Sequence, residues 1–128
     1  MRDRIVQELS LLRRHFGNEV EYREPSDWFL IPQYPAPAQC VPNPLEVCFS
    51  LRAGYPGTEP YGFFIIETAR FDGQPFKSGS APAQPLFSGS WIFFSWAPEG
   101  WIATADPVKG SNLWGWARSF AARLREGP

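Results

Sequence analysis

Sulfur and imidazole are scarce in this chain: 128 residues carry two cysteines, one methionine and one histidine. Cys40 and Cys48 are too few for a disulfide framework, and with His15 they fall short of the four ligands a structural zinc takes. Neither sign of charge dominates. Twelve basic residues meet thirteen acidic ones for a net charge of -1, with no block of like charge. That argues against the concentrated basic face that nucleic acid or an anionic membrane requires. No apolar run approaches the roughly 18 residues of a membrane span, and the charged start MRDRIVQELSLLRRHF is unlike a signal peptide. The expectation is a cytoplasmic, reducing compartment with both thiols free, and no metal or cofactor is implied.

What the chain does have is 14 prolines and 6 tryptophans. The length allows one domain, 1–128, around one core. Residues 3–16 predict a helix: Ile5, Leu9, Leu12 and Phe16 share a stripe, with Arg4, Glu8, Arg13 and Arg14 on the wet side. Gly17-Asn18 supplies a stop, since both tolerate the left-handed C-cap. His15, near that end, suits the helix dipole as a cation.

Short extended pieces follow at 19–23 and 28–31. Pro32 to Pro44 predicts irregular chain, because proline removes backbone donors and fixes φ. Leu45, Val47, Phe49 and Leu51 then alternate with Glu46, Cys48, Ser50 and Arg52 as a strand with one buried face. A further strand covers 62–67. Residues 68–90 read as a long Gly/Pro/Ser/Ala-rich loop, of the kind that is usually functional or disordered. Trp91 to Trp96 is an apolar segment returning to the core. Last comes a helix capped by Ser111-Asn112, with Leu113, Trp116, Ala117, Phe120 and Leu124 on its buried stripe. The expected architecture is α+β: N-terminal helix, four-stranded antiparallel meander, long loop, C-terminal helix.

Three motifs give this order a resemblance. Tyr55-Pro56 with Pro60, directly after a strand, resembles the YPxxPP loop of the ubiquitin-conjugating (E2, UBC) and RWD-like superfamily, with Tyr61 for the second proline. Trp101 sits where those domains place a Trp beyond the active site. Ile31-Pro32-Gln33-Tyr34-Pro35-Ala36-Pro37 with Gly54-Tyr55-Pro56 is similar to the bacterial group called prokaryotic E2 family E, over roughly residues 18–126. The resemblance implies a bacterial ubiquitin-like conjugation cassette, related to antiphage defence systems, with a ubiquitin-like modifier or an E1-like protein as partner. It also implies a partner surface made of the first helix and the loop after the third strand: Arg2, Arg4, Arg13, Tyr55, Pro56, Glu59 and Pro60. Trp96 and Trp101 mark the alternative edge.

An E2 enzyme needs a thioester-forming cysteine before that Trp and an asparagine for the oxyanion. Ser90 to Gly100 contains no Cys, and residues 67–95 contain neither His nor Asn. The domain therefore reads as a pseudoenzyme that binds rather than conjugates. The enzymatic alternative rests on Ser95, nearest the missing cysteine, or on Cys40, in the proline-rich loop and open to solvent if that loop is. No general base is visible for Ser95, and nothing visible lowers the pKa of Cys40. Cys48 reads as a packed small side chain. A third alternative is an aromatic module for a small ligand, built on Trp91, Trp96, Trp101, Trp114 and Trp116, with Trp96 and Trp114 the most exposed. Asp72, Glu99 and Asp106 read as ordinary loop acids.

Overall fold

The computed structural model describes residues 2–77, 79–81 and 83–128. Its first helix, α1 (Asp3–Phe16), buries the expected stripe of Ile5, Leu9, Leu12 and Phe16 and ends at Gly17, whose φ of 106° favours glycine. Glu8 was placed on the wet side; instead it is fully buried.

The main sheet is antiparallel and has five strands in the order β1 (Glu21–Arg23), β2 (Trp28–Tyr34), β4 (Leu45–Ser50), β5 (Phe63–Ile66) and β8 (Trp91–Phe94). The four-stranded expectation stops one strand short. Trp91 to Phe94 pairs along β5, with Phe63 opposite Phe94 and Ile66 opposite Trp91. A second, three-stranded sheet joins β3 (Cys40–Val41), β6 (Arg70–Phe71) and β7 (Gln74–Pro75). It corrects two expectations, since β3 lies in the proline-rich stretch and the β6–β7 hairpin lies in the long loop. The hairpin turns on Asp72-Gly73, both at positive φ, a pair favoured in two-residue turns. Pro32 itself lies within β2, where the register slips between Ile31 and Tyr34. A bulge accommodates the missing N–H there.

Both faces of the main sheet are covered. Phe29, Ile31, Val47, Phe49, Phe63 and Ile65 pack with α1 and the C-terminal helices in the large core. On the opposite face, Trp28, Cys48, Phe64 and Phe93 are buried together with Phe87 from the 68–90 segment. Ser78 and Pro82 of that segment lie outside the described residues.

The single C-terminal helix predicted is two short ones, α2 (Leu113–Arg118) and α3 (Phe120–Arg125). The Tyr34 hydroxyl explains the break. It donates to the Ala117 carbonyl and accepts from the Ala121 N–H, replacing the bond those two groups would make in a continuous helix. Leu113, Trp116, Ala117, Phe120 and Leu124 are buried as the stripe required.

Candidate functional site

The chain leaves β8 at Ser95 and runs to α2 through a loop held from behind by α1. Arg4 does much of the holding. Its guanidinium donates to the Thr104 carbonyl at 2.6 Å, to the Ser111 carbonyl at 3.1 Å and to the Glu8 carboxylate at 3.0 Å. Glu8 also accepts the Tyr55 hydroxyl and, at 2.9 Å, the Leu113 N–H that opens α2. A buried carboxylate is tolerated when donors surround it, and here each donor comes from a different element. Burial, and after it the same carboxylate, pushes the Tyr55 phenol well above its ordinary pKa. Trp101 packs over Tyr55 at 5.9 Å between ring centroids and donates its indole N–H to the Pro56 carbonyl at 2.9 Å.

In front of this frame lies a cleft of about 830 Å³. Its walls carry four tryptophans and a tyrosine: Trp96, Trp101, Trp114, Trp116 and Tyr61. Trp96 is oriented by its N–H on Ser119 Oγ at 2.9 Å and by its carbonyl, which accepts from the Gly62 N–H at 2.8 Å. Ser111 and Ile102 clamp the loop through two bonds of 2.8 Å, and Asn112 Oδ1 caps α2 on the Gly115 N–H. Trp114 stacks on His15 at 3.9 Å and 12°, with the Arg118 guanidinium 4.7 Å from its ring centroid. That stacking, rather than the helix dipole alone, accounts for the position of the only histidine. Trp116 is 3% exposed and meets Phe49 and Phe120 edge-on. Its indole N–H is buried without a hydrogen-bond partner.

The sequence-predicted residues divide sharply. Trp96, Trp101 and Ser95 come together in the cleft. Cys40 does not, and the expectation of an exposed thiol is corrected: it is 1% exposed in β3, within the large core. Burial, then the nearby Asp72 charge, raises its pKa, which opposes thiolate formation. Cys48 is buried on the other face, its thiol also pushed up, chiefly by burial. Nor do the α1 and Tyr55-loop residues form one exposed surface. Arg4 and Tyr55 turn inward to Glu8, and Pro60 is buried. Arg2 is exposed but paired with Asp27, while Arg13 donates to the Val20 carbonyl at 3.0 Å. Pro56 and Glu59 lie half-buried on the loop.

Sequence reasoning missed Glu8 as a hub and Glu99 as a wall of the cleft. Of the five tryptophans of the aromatic-module alternative, Trp96, Trp101, Trp114 and Trp116 line the cleft, while Trp91 packs against the cluster on the other face of the sheet. Among the described residues, no group of His, Cys, Asp and Glu is arranged to hold a metal, and no helix is long and apolar enough to cross a membrane. No protein-family model matches the chain, and neither does any curated protein or solved structure.

Proposed function

We propose that this chain is a non-catalytic, E2-like binding domain that docks a ubiquitin-like modifier or an E1-like protein in its tryptophan cleft. One observation carries the reading. The stretch from Ser95 to Trp101, where an E2 enzyme would hold its cysteine, contributes an aromatic wall and no thiol. Both cysteines are buried in the sheets with raised pKa values. A cleft of several hundred cubic ångströms lined by aromatic rings is the usual form of a binding site, and tryptophan is the side chain most enriched among interface anchors. The α+β order of helix, antiparallel sheet and C-terminal helices is compatible with the resemblance, which otherwise rests on the Tyr55-Pro56, Pro60 and Trp101 motifs.

The test mixes the protein with the host's E1-like enzyme, its ubiquitin-like protein and ATP, then separates products with and without reductant. The expected outcome is reversible binding to one of them and no covalent adduct. A reductant-sensitive adduct abolished by Cys40→Ala would make the domain an enzyme. Ser95 is exposed at the cleft, so the second reading is an oxyester. It requires an adduct that survives reductant, is cleaved by alkali, and is lost in Ser95→Ala.

A further inference from the structure

Several polar groups lining the cleft are committed to the fold. Ser119 Oγ donates to the Trp116 carbonyl and accepts from Trp96. Asn112 caps α2 with its oxygen and donates its amide to the Pro107 carbonyl at 2.8 Å. Ser111 Oγ accepts from the Ile102 N–H, and the Trp101 N–H is on Pro56. Among the described residues, what remains unbonded at the cleft is the exposed Glu99 carboxylate, the exposed Ser95 and Tyr61 hydroxyls and the Trp114 N–H.

The electrostatics are one-sided. Aromatic faces are negative, and among the described residues Glu99 is the only charged one lining the cleft. At the rim the chain already demonstrates the matching interaction: Arg118 lies over Trp114 at 4.7 Å and Arg52 over Tyr61 at 5.8 Å. Among the described residues, Trp96 and Trp101 carry no guanidinium and Glu99 has no ion-pair partner. The inner rings and Glu99 thus form an acceptor for positive charge that the chain does not fill itself.

We propose that the cleft receives an arginine side chain presented on an extended segment of the partner protein. The planar guanidinium stacks on the half-buried Trp96 and Trp101 and pairs with Glu99. The inference rests on the cleft being the docking site and adds the chemistry it selects.

The probe is the pentapeptide acetyl-Gly-Gly-Arg-Gly-Gly-amide, titrated into the protein while tryptophan fluorescence is followed. Its citrulline counterpart keeps the shape and loses the charge. The arginine peptide should bind at least tenfold more tightly than the citrulline one. Glu99→Gln should weaken it at least fivefold, and Ser95→Lys, which places a competing cation at the exposed mouth, should abolish it with the melting temperature unchanged. Equal binding of both peptides, or saturable binding of neither, overturns the proposal. If neither peptide binds while the modifier or E1-like protein still binds and Ser95→Lys blocks it, the arginine inference falls and the docking reading stands. If Ser95→Lys affects neither, both fall.

Discussion

Two polar centres, each with one glutamate, adjoin Trp101, and they differ in how completely their polar groups are matched. Behind it, Glu8 is fully buried and takes donors from Arg4, Tyr55 and Leu113. In front, Glu99 is exposed and, among the described residues, has no ion-pair partner. The ingredients are alike, so residue type does not separate structure from function here. A saturated cluster holds α1, the Tyr55 loop and α2 together. The unsaturated one still has bonds to give to another molecule.

The largest effect should come from breaking the saturated side. Glu8→Leu strands the Arg4 cation, the Tyr55 hydroxyl and the Leu113 N–H, so stability to urea should drop by about 3–5 kcal/mol, the usual cost of removing one partner of a buried ion pair. A loss below about 1 kcal/mol would mean that apolar packing alone positions α1.

Cys40→Ser comes next, at roughly 1–3 kcal/mol, because it buries a hydroxyl where a thiol behaves as a small hydrophobe. Chemical denaturation of that variant beside Cys40→Ala isolates the hydroxyl, and equal stability of the two would contradict the burial of β3.

Alkali should also act on the structural side. Tyr34, Tyr55 and Cys48 have raised pKa values, burial being the first cause in each, and Tyr22 is pushed up to about 12 by desolvation and then by its bond to Asp27. The folded chain then holds protons that the unfolded chain releases from about pH 9–10 upward. Their contribution is complete below that point and is lost as pH rises through the folded-state values. Urea midpoints should be flat toward neutrality and fall above pH 10, less steeply in Tyr55→Phe; a rise in stability with pH would reverse the sign.

The smallest effect belongs to the open side. Glu99→Gln should leave the melting temperature almost unchanged, within about 0.5 kcal/mol, and any larger loss would place Glu99 in the fold.

Periodicity explains why parts of this structure were readable from sequence. The stripe Ile5, Leu9, Leu12, Phe16 and the alternation Leu45, Val47, Phe49 follow from local geometry. Glu8 obeys no such rule, because two of its donors lie 47 and 105 residues away. The break at Ser119 likewise depends on Tyr34, more than 80 residues upstream. The Asp72-Gly73 turn was a legible hairpin signal hidden by the composition around it. Of the cleft, Trp96, Trp101, Trp114, Trp116 and Ser95 were nameable from the chain. Glu99 was not, since an acid in a loop gains meaning only from the rings beside it.

The central claim is that the tryptophan cleft binds while the Tyr55 loop and α1 hold the fold. It is tested most directly by nuclear magnetic resonance of the ¹⁵N-labelled protein titrated with the arginine pentapeptide. The account predicts shifts in the indole N–H signals of Trp96 and Trp101 and in the amides of residues 95–100, with the amides of Ile5 to Leu9 and Tyr55 unmoved. Shifts centred on Arg2 to Arg13 and Tyr55 to Glu59, with the indoles of the cleft silent, would contradict it.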